Sequence, residues 1–170
     1  VVSKDVAWAS GAKGTVLRSV DGETWHNVSI AGASNLDFRD IQGVDQNTAI
    51  AMSAGPGAAS TIYRTEDGGA SWQLMKVNGV ASGFWDAMDF WDAKNGILFG
   101  DPVNGQFEIL ITADGGKTWQ VAAQEANQLA ALANEGAFAA SGTCVAVRGS
   151  HDVWFVTGGA EKSRVFHSAD

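Results

Sequence analysis

One pattern recurs along this chain and limits what it can fold into. Residues 16–21 (VLRSVD), 62–67 (IYRTED), 109–114 (ILITAD) and 165–170 (VFHSAD) each run apolar or aromatic pair, variable residue, Ser or Thr, any residue, Asp. The Asp positions are Asp21, Asp67, Asp114 and Asp170, and Trp25, Trp72 and Trp119 follow at 47-residue intervals. Upstream, 5–11, 47–55, 94–102 and 151–159 align as short strands ending in small residues, preceded by 37–45, 83–92 and 136–147. One unit is therefore four short strands, the content of a propeller blade. A four-stranded sheet of this size cannot bury both faces alone; radial stacking on its neighbours covers them. The expected fold is all-β, a β-propeller of four-stranded antiparallel blades. The 21 Gly and 2 Pro suit a chain rich in tight turns.

The units fall at about 1–30, 36–78, 83–123 and 136–170, with 124–135 as a loop insertion. Leu and Ala recur at roughly helical spacing over 125–136, which predicts one or two helical turns there. The first unit lacks its first strand and the last its fourth, giving about three and a half blades where propellers have about 4–8. Two expectations follow: further blades on the C-terminal side, or a homodimer in which two copies complete the ring through their open edges.

The repeated turn resembles the Asp-box, or bacterial neuraminidase repeat, Ser/Thr-x-Asp-x-Gly-x-Thr/Ser-Trp. Thr65, Asp67, Gly69 and Trp72 fill it, as do Thr112, Asp114, Gly116 and Trp119. Ser19, Asp21 and Trp25 form a copy one residue shorter, and the fourth carries Ser168 and Asp170. The Asp side chain can accept backbone N–H groups across the turn. Gly supplies a positive φ, and Trp buries a large apolar face. None of these residues is a nucleophile or a poised acid, so the box reads as a structural staple between the third and fourth strands.

Composition narrows the rest. The net charge is −8 and the 11 basic residues are scattered, which argues against nucleic acid, whose binding rests on clustered Lys and Arg. No apolar run is long enough for a membrane-spanning helix. The single Cys144, in an apolar alternation, reads as a buried strand thiol. No Cys/His cluster points to a metal, and no motif points to a cofactor. The NVS at 27–29 is a glycosylation sequon of the kind that arises by chance. His26, His151 and His167 fall at unrelated repeat positions.

Function is then expected on the face opposite the boxes, where the second-to-third strand loops and the inter-unit connections meet. Arg39 and Asp40 open one first strand, and Trp85 and Asp86 open the next at the matching position. Asp101 lies in a loop of that face and Glu135 ends the longest connection. An arginine with nearby carboxylates could bind a ligand or act as acid and base; Asp40, Asp86, Asp101 and Glu135 are the catalytic candidates. The resemblance to sialidases stops at the boxes. Those enzymes need an arginine triad and a tyrosine nucleophile, and the one tyrosine here, Tyr63, sits in a third strand four residues before a box Asp.

Across most of its length the chain is similar to exported bacterial propellers related to the photosystem II assembly and stability factor. The runs DFRDIQ, GFWDAMDFWDAKNGILFGDP, EGAFAASGTCVAV and RVFHSAD carry that likeness. It implies an exported, periplasmic or extracellular, scaffold or binding module for a protein or glycan. The competing class is a glycoside hydrolase or lyase of the Asp-box propellers.

Overall fold

The computed structural model describes residues 1–122, 128–140 and 142–169. These residues form fourteen strands in four antiparallel sheets and contain no α-helix. The first sheet is β1 (Ala7–Ser10), β2 (Val16–Ser19) and β3 (His26–Asn27); the second is β4 (Phe38–Gly43), β5 (Ala49–Ser53), β6 (Thr61–Thr65) and β7 (Gln73–Val77). The third holds β8 (Trp85–Phe90), β9 (Gly96–Val103), β10 (Gln106–Thr112) and β11 (Gln120–Val121). The fourth holds β12 (Val145–Arg148), β13 (Asp152–Thr157) and β14 (Arg164–Ser168). Within each sheet neighbours in sequence are neighbours in space, so every sheet is a meander.

Consecutive sheets stack face to face in chain order, with an apolar layer between each pair. Trp8, Val16, Phe38 and Ala51 fill the first layer, and Ile50, Met52, Ile62, Leu98 and Leu110 the second. Ile97, Phe99, Ile109, Val153 and Phe155 fill the third. Strand alternation supplies these layers, because successive residues face opposite neighbours. Ile50 and Ala51 are both fully buried, one against the third sheet and the other against the first. The first strands β4, β8 and β12 approach one another from sheet to sheet, so the stack is radial: a partial propeller.

Three of the Asp turns are bonded as their sequence implies; the fourth, with Ser168, ends on Asp170, which lies outside the described residues. Asp114 Oδ1 accepts the Thr118 N–H at 2.9 Å and its Oδ2 the Thr118 hydroxyl at 2.7 Å; the Thr112 hydroxyl donates to Asp114 Oδ1 at 2.9 Å. Thr65, Asp67 and Ser71 repeat this set. In the shorter copy Asp21 Oδ1 accepts the N–H groups of both Glu23 and Thr24. The tryptophan expectation needs one correction. Trp119 is buried against the second sheet and Trp72 half-buried against the first, donating its indole N–H to Val28 O at 2.8 Å. Trp25 is 46% exposed. It belongs to the first sheet, and no described sheet precedes that one to receive its ring.

The insertion differs as well. Residues 125–127 of the expected helical turns lie outside the described residues, and 128–136 hold turns and two isolated bridges, at Ala130 and Gly136. Leu129 and Ala131 pack on the third apolar layer; tertiary burial outweighs their helical spacing.

Candidate binding site at the inner-strand mouth

Two ends of the stack are distinguishable by their bonds. At one, the Asp67 and Asp114 turns are tied to the turn after the first strand: Gly68 N–H donates to Asn47 O and Gly115 N–H to Lys94 O, each at 2.8 Å. Those first turns carry their own carboxylates, which the sequence reading passed over. Asp45 Oδ1 accepts the N–H groups of Asn47 and Thr48, and Asp92 Oδ1 those of Lys94 and Asn95. Their 47-residue spacing was the signal available. The other end gathers the loops between second and third strands and the connections between sheets, with Asp101 N–H bonded to Phe84 O and Ala54 N–H to Asp37 O.

At that end β4 and β8 each open with a β-bulge at the same place. Phe38 and Asp40 pair with Ser53 and Met52, leaving Arg39 as the extra residue; Trp85 and Ala87 pair with Gly100 and Phe99, leaving Asp86. A bulge takes one residue out of the alternation and re-aims its side chain. Arg39 is thereby exposed, bonded through Nε to Asp37 Oδ2 at 2.8 Å. Asp86 is only 2% exposed, and its Oδ2 is the one buried side-chain oxygen or nitrogen without a hydrogen-bond partner among the described residues.

Electrostatics sets Asp86 apart. Burial first, then the Asp101 carboxylate, push its pKa up to about 8, against the pull of the Asp101 N–H and the Arg39 guanidinium. It holds its proton at neutral pH and can donate as well as accept a hydrogen bond. Asp40 lies one residue beyond the first bulge. Its Oδ2 accepts the Met88 N–H at 2.8 Å, and its carboxyl group abuts Gly142 of the fourth sheet's lead-in. Burial and the nearby Asp89 carboxylate raise it to about 7, opposed by the N–H groups of Met88 and Ile41. Groups shifted this way mark candidate sites.

Asp101 Oδ1 accepts the Ala137 N–H at 2.8 Å, which ties its loop to the next connection. Trp85 is buried, and its indole N–H goes to Glu108 Oε2 at 2.9 Å. Glu135 is buried too. Arg164 pairs with both its oxygens, the Thr157 hydroxyl donates to Oε1, and the Leu132 N–H reaches Oε2 at 2.7 Å. Arg164 chiefly holds its carboxyl down to about 2. The structure thus brings Arg39, Asp86 and Asp101 into one electrostatic group with Asp40 beside it, while Glu135 fastens the connection into the fourth sheet. Cys144 is buried, and burial pushes its thiol up to about 11, so it stays protonated. Among the described residues no group of three or more His, Cys, Asp or Glu is arranged to hold a metal ion.

No protein-family model and no curated protein matches the chain. Solved structures do. The chain is similar to YCF48 bound to D1 peptide, with 18% identity and a TM-score of 0.58 over 99% of this chain and 52% of that one. It is similar to YCF48 from Cyanidioschyzon merolae, with 17% identity and a TM-score of 0.60 over 98% and 53%. At such identities the likeness carries the fold: four antiparallel sheets stacked as part of a β-propeller, spanning about half the length of either YCF48 chain.

Proposed function

We propose that this chain is the binding part of an exported Asp-box propeller scaffold that holds a protein segment at the inner-strand mouth. The observation that carries the reading is the pair of matched bulges. They set an exposed cation, Arg39, beside a buried and protonated carboxyl group, Asp86, with one oxygen unpartnered. With its Nε–H given to Asp37, Arg39 offers the donors of its two terminal NH2 groups and Asp86 a donor and an acceptor, a set suited to the amide and carboxyl groups of a peptide. The peptide held by the YCF48 structure supports a protein ligand over a glycan. Export rests on the family resemblance of the sequence.

A peptide array and a glycan array probed with the same preparation test this. Peptide capture that falls at least tenfold in Arg39→Ala and Asp86→Asn supports the reading. Capture unchanged by both substitutions overturns it.

The second reading, a glycosidase or lyase, is favoured by one observation: Asp86 holds a proton at neutral pH, as a general acid must. Hydrolysis of an arrayed glycan that disappears in Asp86→Asn would select it.

A further inference from the structure

The chain carries three Asn-Gly pairs, 78–79, 95–96 and 104–105. Such a pair can modify itself, because glycine has no Cβ to obstruct the approach of its nitrogen to the asparagine amide carbon, and asparagine is a thermolabile residue. The fold treats the three pairs differently. Asn78 is 4% exposed; its Oδ1 accepts the Val80 N–H at 2.9 Å and its Nδ2 donates to Glu108 Oε2 at 3.4 Å. Asn95 is exposed, but its Nδ2 donates to Asp92 Oδ2 and its N–H to Asp92 Oδ1, both at 2.8 Å, and its carbonyl accepts the Trp91 N–H. Gly96 is buried against the Phe90 ring. Asn104 and Gly105 are both exposed and make the two-residue turn between β9 and β10, with φ of 52° and 80°, as an Asn-Gly hairpin turn requires. Among the described residues neither the Asn104 amide nor the Gly105 N–H has a hydrogen-bond partner, and a Cβ on Gly105 would meet open space. The Gly105 carbonyl accepts the Ala131 N–H at 2.9 Å, so the turn is held while its reactive groups are free.

We infer that Asn104 is a site of self-modification, converted without an enzyme to aspartate and isoaspartate, and that the fold protects Asn78 and Asn95. The Gly105 nitrogen gives its proton to solvent and attacks Asn104 Cγ. A C–N bond forms, the Cγ–Nδ2 bond breaks, and the nitrogen leaves as ammonia, taking a proton back from solvent; a five-membered imide remains. Water then opens the ring. Attack at Cγ gives aspartate, and attack at the Asn104 main-chain carbonyl carbon gives isoaspartate, whose backbone is one methylene longer. Either product adds a negative charge to the hairpin that carries Asp101. The extra methylene also breaks the two-residue register that sets the Gly105 carbonyl against Ala131. The site stands independently of the function proposed for the inner-strand mouth.

The test incubates the full 170-residue chain at mildly alkaline pH, which favours loss of the Gly105 proton, and samples it over days. Cleavage before aspartate places each pair in its own peptide: 67–85 holds Asn78, 92–100 holds Asn95 and 101–113 holds Asn104. Mass spectrometry reads amide loss in each, and digestion in heavy-oxygen water marks conversion during work-up. The aspartate product is cut again at 104 and isoaspartate is not, which separates the two. Peptide 101–113 should lose its amide at least tenfold faster than either other peptide, and Asn104→Gln should abolish the loss. In guanidinium the three rates should converge, because the shared Asn-Gly sequence remains while the protection of the folded state is gone. Conversion of Asn104 no faster than that of Asn78 or Asn95 in the folded chain, or the same ranking kept in guanidinium, would overturn the inference.

Discussion

The carboxylate of Asp40, on the innermost strand of the second sheet, accepts the backbone N–H of Met88 on the innermost strand of the third at 2.8 Å. Asp89 does the same one sheet further on, accepting the Val147 N–H at 2.9 Å. The centre of the stack is thus joined by carboxyl-to-backbone bonds between sheets as well as by apolar contact. Each such bond gives an inner-strand N–H a partner from the neighbouring sheet.

Asp40 makes stability depend on pH in an unusual direction. Its folded pKa of about 7 lies above its ordinary value of 3.8. The folded state therefore binds the proton more tightly, and the resulting stabilisation is complete below pH 4 and lost as pH rises through 7. Asp40→Asn keeps an acceptor for Met88 and removes the titration. Urea unfolding should find the variant more stable than the parent by roughly 1–3 kcal/mol at pH 8, with the difference shrinking to near zero at pH 4.

The tryptophans should differ in worth according to whether a sheet precedes them. Trp119→Ala empties a buried seat and should cost about 3–5 kcal/mol. Trp25→Ala, at a ring 46% exposed, should cost less than about 1 kcal/mol. Equal losses in chemical denaturation would contradict the stacking described here.

The ion pair behind the fourth sheet should behave as a buried one. Arg164→Met leaves the Glu135 carboxylate buried without its cation, and should destabilise by about 3–5 kcal/mol. Because Glu135 is held down to about 2, its contribution is present above pH 4.5 and lost as pH falls toward 2. Glu135→Gln should flatten that acid limb of the melting-temperature profile.

Two glycines with the same backbone conformation should respond differently to alanine. Gly32 and Gly69 have φ of 78° and 85°, so both substitutions carry a left-handed cost of roughly 1–2 kcal/mol. A Cβ on Gly32 meets open space, whereas one on Gly69 would lie 2.6 Å from Val28 Cβ. Gly69→Ala should therefore be the more damaging by at least about 1 kcal/mol, seen as a lower urea midpoint for Gly69→Ala than for Gly32→Ala.

The repeat, the Asp turns and the strand order were legible because they depend on residues a few places apart. A Thr two positions before an Asp, a Gly after it and a Ser or Thr four positions on are enough to specify the turn's hydrogen bonds. Residues 47–55 likewise read as a short strand ending in small residues, and β5 lies there. Only the tertiary structure decided what depends on partners far along the chain. The bulges that single out Arg39 and Asp86 arise from register with β5 and β9. The engagement of Glu135 needed Arg164, twenty-nine residues away, and the exposure of Trp25 depends on which sheet stands beside it. Local geometry is encoded in spacing; burial, and with it the charge state of Asp40 and Asp86, is created only when the sheets close on one another.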